Sequence, residues 1–104
     1  MGRFIKVAKA YDIPPGEGVT VEADGRYIAI FNADGTYYAI SDTCLHMGAS
    51  LGQGWLEGKM VTCPWHGWRF NVETGVSDFS GQVCIERYDV TVEGTDVYVR
   101  IGGR

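Results

Sequence analysis

Apolar and polar residues alternate most clearly between residues 19 and 41, in the segment VTVEADGRYIAIFNADGTYYAIS. Three runs of apolar, β-branched or aromatic residues are separated there by Asp24-Gly25 and Asp34-Gly35. Asp-Gly between two such runs is a strong hairpin signal, because glycine tolerates the positive φ that a tight turn needs. The pattern therefore predicts a meander of three antiparallel strands.

The remaining predicted strands are shorter and are separated by turn-forming residues. They cover residues 3–9, 59–63, 68–72, 83–92 and 95–101. Residues 10–18 predict a surface loop, and turns are expected at Thr74-Gly75 and at Glu93-Gly94. No segment shows the 3.6-residue apolar period of a long helix. The pattern predicts an all-β protein, a small antiparallel β-sandwich or barrel with a glycine-rich insert at about residues 42–80.

Composition narrows the class of protein further. The chain has 104 residues, which predicts a single domain over residues 1–104. Its net charge of −4 argues against nucleic-acid binding and permits docking to a partner with a basic face. Neither an apolar run of membrane-spanning length nor the apolar core of a secretory signal is present in the sequence. We therefore expect a soluble, cytoplasmic protein that contacts no membrane.

The metal-binding residue types are concentrated in the predicted insert. Cys44-x-His46 is followed by 16 residues and then by Cys63-x-x-His66, and the two pairs use both histidines of the chain. Thiolate together with imidazole suits zinc or iron. Zinc would take all four side chains at one ion, as the staple of an interaction module. A two-iron cluster would divide them between its two irons, and the spacing does not decide between these alternatives.

The flanking residues add a family resemblance to this spacing. The segments CLHMGASL and CPWHGWRFNVETG resemble the two cluster-binding loops of the Rieske family, whose signature is Cys-x-His, a spacer of similar length and Cys-x-x-His. The resemblance implies one [2Fe–2S] cluster per chain, with Cys44 and Cys63 on the buried iron and His46 and His66 on the outer iron. It also implies a small antiparallel β fold with an inserted cluster-binding subdomain. These four residues are the predicted cofactor and metal ligands, and no catalytic residue is predicted.

Four further positions bear on the reduction potential that this resemblance implies. High-potential members of the family carry a disulfide between the two loops, where this chain has Ala49 and Trp65. They also place serine and tyrosine hydroxyls after the second histidine, where this chain has Trp68 and Phe70. Hydroxyl donors to cluster sulfur stabilise the reduced state, so their absence lowers the potential. We expect a potential in the lower half of the Rieske range of about −150 to +300 mV.

The resemblance also implies a role in electron transfer rather than catalysis. Similar proteins carry single electrons from a flavin-dependent NAD(P)H reductase to a terminal oxygenase that hydroxylates aromatic compounds. Oxygenase subunits of the family need two more histidines for a second iron site, and both histidines here are already assigned. We therefore expect a non-enzymatic carrier, monomeric when free, whose protein partners are that reductase and that oxygenase. The small Rieske subunit of an assimilatory nitrite reductase is the alternative.

Apolar and sulfur-containing residues outside the ligand set have either a structural role or two alternative roles that the sequence does not separate. Cys84 lies in a strand-like run without a neighbouring cysteine or histidine, and is predicted to be a buried structural thiol. Met47, Trp65 and Trp68 lie beside the predicted ligands. They would either shield the cluster from water or form a rim that docks a partner, and both interpretations stay open.

Charged residues of the insert are interpreted in the same way. Glu57, Glu73 and Asp78 would belong either to an acidic docking face or to ordinary solvated surface. The sequence favours solvated surface, because most charged residues of a folded domain are exposed. Arg69 is predicted to pair with one of these carboxylates.

Overall fold

The computed structural model describes residues 2–43, 49–64, 67–78 and 81–102, and within these ranges the strands form three antiparallel sheets. The strands are β1 (Gly2–Lys9), β2 (Gly18–Ala23), β3 (Arg26–Ala33), β4 (Thr36–Ser41), β5 (Trp55–Glu57), β6 (Met60–Thr62), β7 (Arg69–Asn71), β8 (Arg87–Tyr88), β9 (Val90–Glu93) and β10 (Asp96–Gly102). Single-turn 3-10 helices cover Ala10–Asp12 and Leu51–Gln53. Among the described residues, no helix has the length and apolar character needed to cross a membrane.

The first sheet joins the two ends of the chain in the order β1-β10-β9. β1 pairs with β10 so that Ile5 lies opposite Val99, and β10 also pairs with β9, which precedes it in the predicted hairpin. Gly94 has a φ of +62°, in the left-handed region that a tight hairpin turn needs. The expected closing hairpin is therefore present, although its first strand begins later than predicted.

The second sheet contains the predicted meander, in the order β2-β3-β4-β8. The φ angles are +54° and +77° at Asp24 and Gly25, and +56° and +93° at Asp34 and Gly35. Two consecutive residues with positive φ are typical of the type I′ turns that match the twist of a hairpin. The Asp-Gly pairs thus form both turns, as the sequence predicted.

The third sheet lies within the insert and has the order β5-β6-β7. β6 and β7 confirm the short strands predicted around residues 59–63 and 68–72, whereas β5 was not predicted. Leu56, Val61 and Phe70 occupy one cross-strand row, in which Val61 and Phe70 are fully buried. This row is the inner face of the sheet, so even these short strands contribute to a core.

The second sheet lies between the other two and buries both of its faces. Along β3, Ile28 and Ile30 pack into a core with Val97 and Val99 of the first sheet. Ala29 and Phe31 point the other way and pack with the inner face of the third sheet. Side chains alternate across a strand, so one strand can supply two cores. The all-β antiparallel architecture is confirmed, and the third sheet packs against the central sheet.

Two expectations for residues 83–92 were wrong. The segment is not one strand, because β8 pairs with β4 in the second sheet while β9 pairs with β10 in the first. Cys84 is exposed rather than buried. Alternation explains this exposure: Val83 packs against the core and Ile85 is 4% exposed, so the residue between them faces solvent.

Candidate metal centre

The second predicted ligand loop connects β6 to β7. The Cys63 backbone N–H donates to the carbonyl of Trp68 at 2.7 Å, which closes the base of the loop. The Gly67 N–H donates to the Cys63 carbonyl at 3.2 Å, with Gly67 at a φ of +75° that favours glycine. The Cys63 residue is 0% exposed. Backbone hydrogen bonds from both strands of this hairpin therefore hold Cys63 at the base of its loop.

The first predicted ligand loop is closed by a separate set of backbone contacts. Thr43 and Ser50 form an antiparallel bridge, and the Leu51 N–H donates to the Asp42 carbonyl at 2.6 Å. Ala49, at the end of the loop, is 2% exposed. The described residues at the start and end of both loops are thus held by backbone pairing.

The bases of the two loops pack directly against each other. Ala49, Leu51 and Cys63 belong to one buried cluster, which also contains Phe70. Gly54 follows the turn at Leu51, and a Cβ there would collide with the carbonyl oxygen of Thr62, the last residue of β6. The backbone that follows the first loop therefore lies against the strand that leads to Cys63. This contact brings the two ligand segments together.

Of the four predicted ligands, the structure describes Cys63. Cys44, His46 and His66 lie outside the described residues, as do Met47 and Trp65. The ligand set and the role of these two flanking residues in shielding or docking consequently stay predictions. The described framework brings together the loops that carry the ligands.

The chemistry of Cys63 fits a metal–sulfur site. Its thiol forms no disulfide, and its residue is fully buried among apolar neighbours such as Ala49 and Phe70. A thiolate in such surroundings is a soft ligand that the protein shields from water. Cys84 offers no comparable environment, because it is exposed. Of the two cysteines that the structure describes, Cys63 alone suits a buried iron.

Three of the four positions that bear on the potential lie among the described residues and carry apolar side chains. Phe70 is 0% exposed and Trp68 packs partly buried against the same cluster. Ala49 is also buried there and has no thiol for a bridge between the loops. An apolar surrounding without hydroxyl donors at these positions disfavours the more negative, reduced state of a cluster.

Two of the three acidic residues in question already have cationic partners. Lys59 Nζ donates to Glu73 Oε1 at 2.8 Å, and Arg69 lies 3.8 Å from the Asp78 carboxylate, as predicted for this arginine. The hydrogen bond to Glu73 and its negative charge raise the pKa of the Lys59 ammonium above its usual value. Such exposed pairs contribute little stability but neutralise the local surface. This agrees with the solvated-surface interpretation for Glu73 and Asp78.

Sequence reasoning did not identify Asp42, which is 5% exposed beside the first loop. Its Oδ1 accepts hydrogen bonds from the Gly52 N–H at 2.7 Å and from the hydroxyls of Thr20 and Ser50 at 2.9 and 3.0 Å. Its position two residues before Cys44 was the available signal. The partner on β2 could not be inferred from local sequence.

Comparison with known proteins agrees with this geometry. A family model described as the Rieske [2Fe-2S] domain matches residues 3–89. The biphenyl dioxygenase ferredoxin subunit of Pseudomonas sp. (strain KKS102) is 38% identical over 99 residues, covering 92% of this chain and 90% of that protein.

Solved structures show the same relationship. The carbazole 1,9a-dioxygenase ferredoxin of Nocardioides aromaticivorans IC177 is 30% identical, with a TM-score of 0.85 over 92% of this chain and 95% of that one. A chain from the complex of reduced oxygenase and oxidized ferredoxin in carbazole 1,9a-dioxygenase is 37% identical, with a TM-score of 0.83 over 92% and 91%. These relatives are electron-transfer components rather than catalytic subunits.

The family also decides between the two metals that the ligand spacing left open. Its cofactor is a [2Fe–2S] cluster, and the buried Cys63 thiol beside the base of the other loop is compatible with such a cluster. The match extends over most of the chain and is not confined to the ligand segments. This chain belongs to the Rieske [2Fe–2S] family and takes one such cluster as its cofactor.

Proposed function

We propose that this chain is a one-electron carrier that links a flavin-dependent NAD(P)H reductase to a terminal oxygenase acting on aromatic rings. The observation that carries the proposal is the buried Cys63 thiol, held where the bases of the two ligand loops meet. When bound, a Rieske cluster accepts and releases one electron. The protein would hold it through Cys44, His46, Cys63 and His66.

Some of the described residues anchor the two ligand loops, and others shield the predicted cluster site from water. The hairpin of β6 and β7 fixes Cys63, and the bridge between Thr43 and Ser50 fixes the other loop. The buried cluster that contains Phe70 excludes water from the inner side. A rigid, dry base limits the rearrangement that accompanies a change in charge. An electron carrier needs this small rearrangement on a change of charge, and it does not need a substrate pocket.

Relatives of similar length support the oxygenase pathway. The proteins compared above are ferredoxin components of aromatic dioxygenases, and each aligns over most of both chains. One solved structure contains such a ferredoxin together with its oxygenase. We extend this pathway to the present chain, and we treat residues 1–104 as one domain that is monomeric when free and resides in the cytoplasm.

The reduction potential is expected to lie in the lower half of the Rieske range of about −150 to +300 mV. Trp68 and Phe70 provide no hydroxyl to stabilise the reduced cluster, and Ala49 provides no bridging thiol. An anaerobic redox titration followed by visible absorbance would measure the midpoint and the number of electrons. We expect one electron per chain, whereas a midpoint well above zero would contradict the role assigned to these positions.

The pathway itself is tested by offering the reduced protein two electron acceptors. In separate assays, it is supplied with the oxygenase of an aromatic dioxygenase system or with a sirohaem nitrite reductase. We expect electron transfer coupled to substrate hydroxylation, and no nitrite consumption above that of a protein-free control. Nitrite reduction without hydroxylation would replace the oxygenase pathway by the nitrite reductase alternative.

A further inference from the structure

A buried hydrogen-bond network joins the base of the first ligand loop to the central sheet. We name it the Asp42 network and define it by Thr20, Asp42, Ser50 and Gly52. The three donors converge on Asp42 Oδ1, and the hydroxyls of Thr20 and Ser50 lie 3.1 Å from each other. Asp42 is buried, and no Lys or Arg of the described ranges forms an ion pair with it. The carboxylate is thus held by hydrogen bonds.

The network spans the loop rather than lying to one side of it. Asp42 precedes residues 44–48, whereas Ser50 and Gly52 follow them. The Asp42 carbonyl also accepts from the Leu51 N–H at 2.6 Å, so the backbone and the side chain of one residue both hold the returning segment. Hydrogen bonds to a charged acceptor are stronger than those between neutral groups. One residue therefore ties together both ends of the predicted ligand loop.

Thr20 connects the Asp42 network to β2 of the second sheet. It lies on β2, where it pairs with Ala29 of β3, and it is 22 residues away from Asp42 in sequence. A Cβ at position 52 would collide with Thr20 Oγ1 and approach Asp42 Oδ1 to 2.9 Å. The close approach of these segments therefore depends on glycine. The position of the loop base relative to β2 is therefore set by the hydrogen bond and close contact at Thr20, in addition to apolar packing.

We propose that Asp42 is a positioning residue, which sets the placement of Cys44 and His46 relative to Cys63 by clasping the first loop onto β2. The inference rests on the proposed function and its four-ligand assignment. Asp42 contacts neither the cluster nor a substrate in this account. Because Asp42 acts through the loop, its substitution should accelerate cluster loss more than it lowers the stability of the fold.

The test measures how fast purified protein loses its visible absorbance to an iron chelator. Asp42→Ala removes the common acceptor, and Thr20→Val removes one hydroxyl with little change in shape. We expect Asp42→Ala to lose its cluster about 10- to 100-fold faster than wild type, if the 10- to 100-fold loss of metal affinity that follows removal of ligand-orienting groups appears in the dissociation rate. Thr20→Val should show a smaller acceleration in the same direction.

Asn32 provides a matched control, because its side-chain hydrogen bonds go to Ile13, Tyr37 and Gly35 and to neither ligand loop. It is 3% exposed, donates to the Ile13 carbonyl at 2.7 Å and accepts from the Gly35 N–H at 2.7 Å. Asn32→Ala therefore removes a buried polar group of similar connectivity, and each variant is assayed at the same interval below its own melting temperature. Equal rates for Asp42→Ala and wild type, or equal acceleration by Asn32→Ala, would overturn the proposal.

Two further measurements keep the test decisive. If Asp42→Ala does not fold, Asp42→Asn retains the side-chain shape and weakens the acceptor, and it should still accelerate cluster loss. If wild-type protein is colourless and contains zinc, the proposed function fails, and the chelator then follows zinc release. Faster zinc release by Asp42→Asn would still support the positioning role, whereas an unchanged rate would refute it.

Discussion

Replacing Cys63 by serine is expected to abolish stable cluster binding. The thiol is fully buried at the base of the second loop, and a serine oxygen is a much poorer ligand for iron in a cluster than a soft thiolate. Iron and acid-labile sulfide per chain should fall at least about tenfold, because even partners outside the ligand set change metal affinity by this much. Iron analysis together with the visible spectrum of purified protein measures the loss.

Cys84 supplies the matched control for this substitution. It is exposed and lies on the solvent side of its segment, so Cys84→Ser should retain the full iron content and spectrum of the wild type. Retention of iron by Cys63→Ser, or its loss from Cys84→Ser, would contradict the assignment of the buried thiol. Circular dichroism of both variants shows whether any loss of iron reflects a loss of fold.

Gly54→Ala is expected to destabilise the fold and to separate the two ligand segments. The φ of Gly54 is −82°, which any residue can adopt, so the constraint is space rather than conformation. An added Cβ would collide with the carbonyl oxygen of Thr62 and lie 3.2 Å from that of Leu51. Both neighbours are backbone atoms and cannot rotate away. Relief requires that β6 move away from the first loop, which separates the two ligand segments.

Overpacking of this kind costs about 1–3 kcal/mol, and rigid neighbours place Gly54→Ala at the upper end of that range. Denaturant unfolding would measure the free-energy change, and cluster content would measure the separation of the loops. Gly81→Ala is the control, because among the described residues beyond its chain neighbours no atom lies within 4 Å of its added Cβ, and its φ is not left-handed. We expect it to change stability by less than about 0.5 kcal/mol. Equal stability of the two variants would show that the close contact at Gly54 is not required.

Local turn chemistry made the central sheet predictable. Asp24-Gly25 and Asp34-Gly35 determine their hairpins through adjacent residues, so no tertiary information was needed. The turn at Gly75, with a φ of +81°, was predictable on the same grounds. These turns fix the order and direction of the strands that support the insert.

Other features depend on contacts that local sequence does not encode. β5 has three residues, too few to show an alternating pattern, and its position depends on pairing with β6. The division of residues 83–92 between two sheets depends on the separate partners of β8 and β9. The exposure of Cys84 follows from that division. For β8 and β9, pattern analysis therefore indicated strand structure but not the sheet that each strand joins.

The candidate site shows the same separation between local and long-range information. The spacing of cysteines and histidines, together with the family resemblance, predicted the ligands and the cofactor without coordinates. The support for these ligands was not predictable, because Thr20 and Gly54 act through neighbours distant in sequence or through close backbone approach. Spacing reports which side chains bind a metal, whereas tertiary packing determines how firmly they are held.

The central claim is that two cysteines and two histidines of this chain hold one [2Fe–2S] cluster. Its most direct test is the EPR spectrum of the reduced protein, recorded with nitrogen hyperfine spectroscopy on samples containing ¹⁵N-labelled histidine. We predict a red-brown protein whose reduced signal carries couplings from two histidine ring nitrogens. A colourless protein with stoichiometric zinc, or a reduced cluster without two such couplings, would contradict the account.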